Sequence, residues 1–398
     1  MKRALKLVGT YYRSIALVCF NTLVLFTALN LGADAWLKAG KEAEKREARA
    51  AAPFAYREYN DTLAPIYPGM TKEEVNKLIQ ETRGVEMGYD SYTQFKEKPC
   101  KGSYVNVDPR GFRPVMGQGT WPPEKGRFNV FVFGGSTAFG YRVADDQTIP
   151  SHLQAGLAAE TGLDVRVYNF GRCSYMSLQE RVLFEKLLLS GNAPALAIFF
   201  DGLNDLVFVD GEPAYTVALT KFMDRGDVGA FRQCTAGMPL VKAARILTGG
   251  TEEGEAMDTG TRHLRGLPPS VIHDVAARYR ANKRIIETIS EPFKVTPVFV
   301  WQPVAIINYD SKYNIFGGFD YHTFTPWVKP GYELMRDLAA SGVMGDNFIW
   351  AADIQKDLAQ PVYADAYHYS GDMCRRIARF IILEMKAGGL VDRAAKGR

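Results

Sequence analysis

FNVFVFGGS, residues 128–136, runs five apolar side chains in six positions straight into two glycines and a serine. A short run of Val and Phe closed by glycine reads as a buried β-strand rather than an amphipathic helix. Glycines at its end allow a sharp turn and close approach of a second group to the backbone, so the strand delivers Ser136 at its carboxyl end. The pattern repeats at VRVYNFG (165–171), ALAIFFDG (195–202), VTPVFVWQP (295–303) and NFIWAADI (347–354). Helical stretches starting near Thr148 and Ser177 separate the first of these runs. Buried strands alternating with helices predict an α/β domain whose parallel sheet is covered on both faces. In such sheets ligands collect at the carboxyl ends of the strands. Three strands end there in small or polar residues: Gly134-Gly135-Ser136, Asn169-Phe170-Gly171 and Asp201-Gly202-Leu203-Asn204-Asp205.

Upstream lies SIALVCFNTLVLFTALNLG (14–32), about 19 residues without a charge, close to the roughly 20 that cross a hydrocarbon core as a helix. Lys2, Arg3, Lys6 and Arg13 precede it with no acid, which predicts a cytoplasmic N-terminus, a single-pass inner-membrane anchor and a domain on the periplasmic side. Ala33 and Ala35 form an A-x-A pattern, so a cleaved signal peptide is the competing reading. The expected organisation is residues 1–35 as anchor or signal and 36–127 as a juxtamembrane helix and extension. The α/β domain then spans 128–390, with an insertion at about 206–270. Within the extension a helix is expected from Thr71 to Glu81, with Thr71 and Glu74 at capping-box positions.

With 398 residues, 47% hydrophobic and 23% charged, the chain can bury a full core. A net charge of +4 without a run of Lys and Arg interleaved with aromatics argues against a nucleic-acid partner. Cysteines at 19, 100, 173, 234 and 374 show no metal-ligand spacing. One or two disulfides, or buried free thiols, remain open. GGSTAFG (134–140) has neither the lysine of a phosphate loop nor the spacing of a dinucleotide-binding turn.

A serine hydroxyl needs a base to take its proton, commonly a histidine oriented by a carboxylate. Of the five histidines, His152, His263, His273 and His322 lie in a helix, the insertion or an aromatic loop. His368 follows Asp365 by three residues in YADAYHYS (363–370), ahead of a final amphipathic stretch CRRIARFIILEMKAG (374–388). At that separation the carboxylate reaches the imidazole. An oxyanion formed in acyl transfer needs donors already in place, which the Gly171 N–H and the Asn204 amide offer. Aromatic residues Tyr141, Tyr175, Phe208, Trp301 and Tyr367 flank these loops.

In that order, GGS, a glycine after the second strand, G-x-N-D after the third and D-x-x-H near the C-terminus, the chain resembles the SGNH (GDSL-like) hydrolases over roughly residues 128–390. The resemblance implies a three-layer α/β/α sandwich with a five-stranded parallel sheet. It implies Ser136 as nucleophile, His368 as base and Asp365 as its partner. The Ser136 N–H, Gly171 and Asn204 would form the oxyanion hole. Gly135 stands where the family commonly has Asp. The expected activity is ester hydrolysis through an acyl-enzyme, without metal or organic cofactor, on esters of small molecules, lipids or glycans. Two alternatives stay open: an O-acyltransferase using the same residues, and a non-catalytic tethered assembly or binding factor.

Overall fold

A computed structural model describes residues 2–51, 61–223, 238–247, 267–317, 319 and 326–397. The chain divides into two compact units: Met1–Ala52 with Val217–Asp258, and Pro53–Thr216 with Thr259–Arg398. In the first unit, helix α1 (Lys2–Ala51) runs unbroken through the apolar stretch. Residues 36–50, expected as a juxtamembrane helix, are helical as a continuation of α1: Gly32 and Gly40 each cost a helix only about 1 kcal/mol and no proline intervenes. Within it, Tyr11–Ala39 is long and apolar enough to cross a membrane.

In the second unit a short 3-10 helix (Asp61–Ile66) precedes helix α2 (Lys72–Arg83), in which Thr71 and Glu74 make both bonds of the predicted capping box. Two small antiparallel hairpins follow, β1 (Met87–Asp90) with β2 (Gln94–Glu97), and β3 (Cys100–Lys101) with β4 (Asn106–Val107). The main sheet holds β5 (Phe128–Gly134), β6 (Val165–Asn169), β7 (Leu196–Asp201), β8 (Thr296–Trp301) and β9 (Phe348–Trp350). All five are parallel, in spatial order β6-β5-β7-β8-β9. The α/β class and five-stranded parallel sheet expected from sequence are therefore those observed.

Successive side chains of a strand point to opposite faces, and here the two faces differ in chemistry. One carries Val130, Val132, Val167, Ile198, Val298 and Val300, and packs on helices Ile149–Thr161 and Gly371–Ala387 through Leu153, Leu157, Ile377 and Ile381. The other carries Phe131, Phe133, Tyr168, Phe199 and Phe299, and packs on helices Ser177–Leu189 and Val271–Ser290 through Phe184 and Ile286. Phe133, Phe199 and Phe299 stack across β5, β7 and β8 at centroid separations of 4.9 and 5.3 Å. Such pairs add about 0.5–1.5 kcal/mol each to their area burial. With helices on both faces, the unit is a three-layer sandwich.

The stretch read as an insertion contains helices Thr216–Met223 and Pro239–Leu247 among its described residues. PLVKAARIL has proline at its first helical position and strong helix formers behind it, so local propensity accounts for the second of these. Cys19, Cys100, Cys173 and Cys374 are free thiols, and Cys234 lies outside the described residues.

Candidate active site

Gly134 ends β5 at φ +152°, where a Cβ would come within 2.6 Å of Ala138 Cβ and 2.8 Å of the Phe200 carbonyl oxygen. A side chain is excluded, and the backbone turns at once into the short helix Ser136–Phe139. Ser136 is thereby raised over the carboxyl end of the sheet. Its neighbour Thr137 turns inward, donating to Gln302 Oε1 at 2.6 Å beyond β8.

Asp365 and His368 come from the loop ahead of the last long helix, closed on itself by Ala364 N–H to His368 O at 2.7 Å and Ser370 N–H to Val362 O at 2.9 Å. His368 Nε2 lies 2.8 Å from Ser136 Oγ, and its Nδ1 lies 2.8 Å from both Asp365 oxygens. Asp365 Oδ1 also accepts the Tyr367 and His368 backbone N–H groups at 2.9 and 2.8 Å, and Oδ2 accepts Arg142 Nε at 3.2 Å. Burial alone would raise this carboxyl. The His368 imidazole, Arg142 and the Tyr367 N–H overcome it and hold Asp365 down to about 2. It is a carboxylate at neutral pH, aimed so that Nδ1 carries the ring proton and Nε2 is left as the acceptor facing Ser136.

The loops after β6 and β7 complete the ring. A Cβ on Gly171 would overlap the Phe139 amide nitrogen, so only glycine lets this loop lie against the Ser136 turn. Asn204 Nδ2 donates to the Tyr175 carbonyl at 2.6 Å and sits where a Cβ on Gly135 would collide with it. This contact gives a physical reason for glycine, rather than aspartate, before the serine. One expected donor is occupied: the Gly171 N–H donates to Asn169 Oδ1 at 2.9 Å. Tyr141 covers the imidazole, its ring 4.6 Å from that of His368. Of the other flanking aromatics, Tyr175 hydrogen-bonds Phe95 O at 2.6 Å, and Phe208 and Trp301 are core. Tyr367 reaches the His368 ring edge-on at 6.5 Å.

No family model matches the chain, and no curated protein sequence does. The solved structures similar to it include lipolytic enzymes. They are a member of the lipolytic protein G-D-S-L family from Veillonella parvula (12% identity, 64% of this chain and 96% of that one, TM-score 0.35), the psychrotrophic esterase EstA from a Pseudoalteromonas species (13%, 65% and 97%, 0.33) and the lipase/acylhydrolase from Enterococcus faecalis (14%, 65% and 95%, 0.35). Likeness at this level assigns no activity to the chain.

His152 is half-buried in its helix, its imidazole pushed down by burial, and His273 begins the helix Val271–Ser290. His263 and His322 lie outside the described residues. Three buried residues were not anticipated: Arg142 against Asp365, Gln302 beneath Thr137, and Arg113. The last donates to Phe139 O at 3.0 Å, Gly140 O at 2.6 Å and Val143 O at 2.7 Å, bracing the turn that carries Ser136. Glu97 likewise anchors the β6 loop through Cys173 N–H at 2.6 Å and Arg172 at 3.3 Å.

Proposed function

We propose that the chain is a serine ester hydrolase of the SGNH type. The observation that carries this is the continuous hydrogen-bonded line from Ser136 Oγ through His368 to Asp365, each link at 2.8 Å. As the Ser136 oxygen attacks an ester carbonyl, its proton passes to His368 Nε2. The imidazolium so formed is stabilised by Asp365, and then protonates the leaving alcohol. Water repeats the cycle in reverse and releases the acid.

The oxyanion would be met by the Ser136 N–H, which has no partner within its own helix, and by the second Asn204 amide hydrogen. Gly171 would add a third donor once the oxyanion displaces the Asn169 carboxamide from its N–H. The substrate class is carboxylic esters carried on small molecules, lipids or glycans. On this reading Tyr11–Ala39 is retained as an anchor, the basic N-terminus stays in the cytoplasm and the hydrolase unit faces the periplasm.

Purified full-length chain in detergent should hydrolyse short-chain p-nitrophenyl esters, and Ser136→Ala should lower kcat/KM by about 10⁴-fold or more at an unchanged melting temperature. A mutant as active as the parent removes Ser136 from the reaction. A parent inactive on every ester offered, in water and with added sugar alcohols as acceptors, removes the esterase reading itself.

A further inference from the structure

The line of groups from Ser136 does not stop at Asp365. Arg142 lies six residues after the serine in the same loop, is 2% exposed and donates Nε to Asp365 Oδ2 at 3.2 Å. Its backbone stands at φ +73°, a region costly for a residue with a side chain, and its carbonyl is held by the Tyr67 hydroxyl at 3.1 Å. The guanidinium lies 6.0 Å from the Tyr141 ring, the same ring that covers His368. Orientation of the imidazole does not require this cation, since two backbone N–H groups already fix Asp365 Oδ1. A buried guanidinium is expensive to desolvate, so its retention calls for an electrostatic account.

Charge counting supplies one. With Asp365 ionised and His368 neutral, Arg142 brings these groups to zero net charge. When the serine proton moves to His368 and an oxyanion forms, the imidazolium and oxyanion cancel and the sum stays zero. Without Arg142 the same groups carry −1 throughout, which favours protonating the imidazole before substrate arrives and so removes the base.

We propose that Arg142 is a positioning residue that sets the lower pH limit of the reaction, by offsetting the charge of Asp365 and so keeping His368 available as a base in mild acid. The proposal rests on the serine-hydrolase reading. Tyr67, Tyr141, Cys173 and Cys374 also face this region. Burial pushes up the hydroxyls of Tyr67 and Tyr141 and the thiol of Cys173, and pushes that of Cys374 up to about 12. Arg83 lies on the Tyr141 side.

The test is kcat/KM on a short-chain p-nitrophenyl ester between pH 4 and 9, using full-length parent, Arg142→Lys, Arg142→Gln and Ser136→Ala, with a melting curve for each. Arg142→Gln should move the acid limb up by about one pH unit, while Arg142→Lys keeps it with the parent. A folded Arg142→Gln protein with lower activity but an unmoved acid limb overturns the proposal and leaves Arg142 a packing role. An Arg142→Gln protein that fails to fold while Arg142→Lys folds overturns it too, because the charge then serves the fold. Failure of the underlying reading looks different: Ser136→Ala would turn over as fast as the parent.

Discussion

Asp365 and Asp201 are buried to nearly the same degree, 3% and 4% exposed, and both lie at the carboxyl edge of the sheet, yet their affinities for a proton are pushed in opposite directions. Asp365 meets His368, Arg142 and two backbone N–H groups. Asp201 meets Glu180 and Asp205, and accepts from the Tyr279 hydroxyl at 3.2 Å. Burial and the Asp205 charge push Asp201 up to about 8, and burial pushes Glu180 well above the carboxylate range. Two acids this close share a proton instead of ionising together. Desolvation is common to both sites; the neighbours decide the charge. The first arrangement favours an anion next to the His368 imidazole. The second keeps a proton among crowded, buried carboxyls beneath the Gly202–Asn204 turn, where Asp205 accepts from the Ser177 hydroxyl at 2.6 Å.

Removing the charge of Asp365 breaks the comparison at its active end. Asp365→Asn should lower kcat by about 10⁴-fold, because a carboxamide stabilises the wrong imidazole tautomer and no imidazolium. The pH dependence has a definite sign. A carboxyl held down to about 2 in the fold, against roughly 4 when unfolded, contributes stability that is present above pH 4 and lost as pH falls towards 2. The mutant should therefore lose less stability than the parent across that window, read as melting temperature against pH. An Asp365→Asn enzyme within tenfold of the parent would sink the role given to the carboxylate.

Arg113 tests whether a paired buried charge outside the reaction matters as much to the fold. Its guanidinium is fully buried, serves four backbone carbonyls and meets Asp145 at 2.7 Å. Arg113→Met should cost about 3–5 kcal/mol of stability, seen in urea unfolding, since the carbonyls and Asp145 lose their donor together. A loss under 1 kcal/mol would mean that water replaces the guanidinium there.

Between residues 51 and 127 the readable signal is the Thr71–Glu74 cap, yet Tyr67, Glu97 and Arg113 from this stretch hold the loops of the site. Their partners lie 75, 76 and 26 to 32 positions away, and no local pattern announces a contact at such distance. Arg142 and Asp365 are 223 positions apart and escape for the same reason. What was legible was local: five apolar runs with glycine or polar ends, the Thr71–Glu74 cap, and an Asp and His three apart. The donor state of Gly171 was not, because a glycine in sequence does not show that Asn169, two residues earlier, turns its carboxamide onto that N–H.

The smallest expected effect sharpens the other end of the comparison. Between pH 4 and 8 folded Asp201 holds a proton that the unfolded chain has lost, so stability must fall as pH rises through that window. Asn cannot titrate, and its amide keeps a donor where the protonated carboxyl had one. Asp201→Asn should match the parent near pH 4 and exceed it increasingly up to about pH 8, by about 1–3 kcal/mol, because Glu180 still competes for the shared proton. Activity at pH 7 should change less than tenfold, as Asn204 is held by Tyr175 O and not by Asp201. Parallel stability curves for the two proteins would mean that Asp201 is already ionised in the fold. Burial with like-charged neighbours would then not suffice to neutralise a carboxyl here, and the contrast with Asp365 would fall.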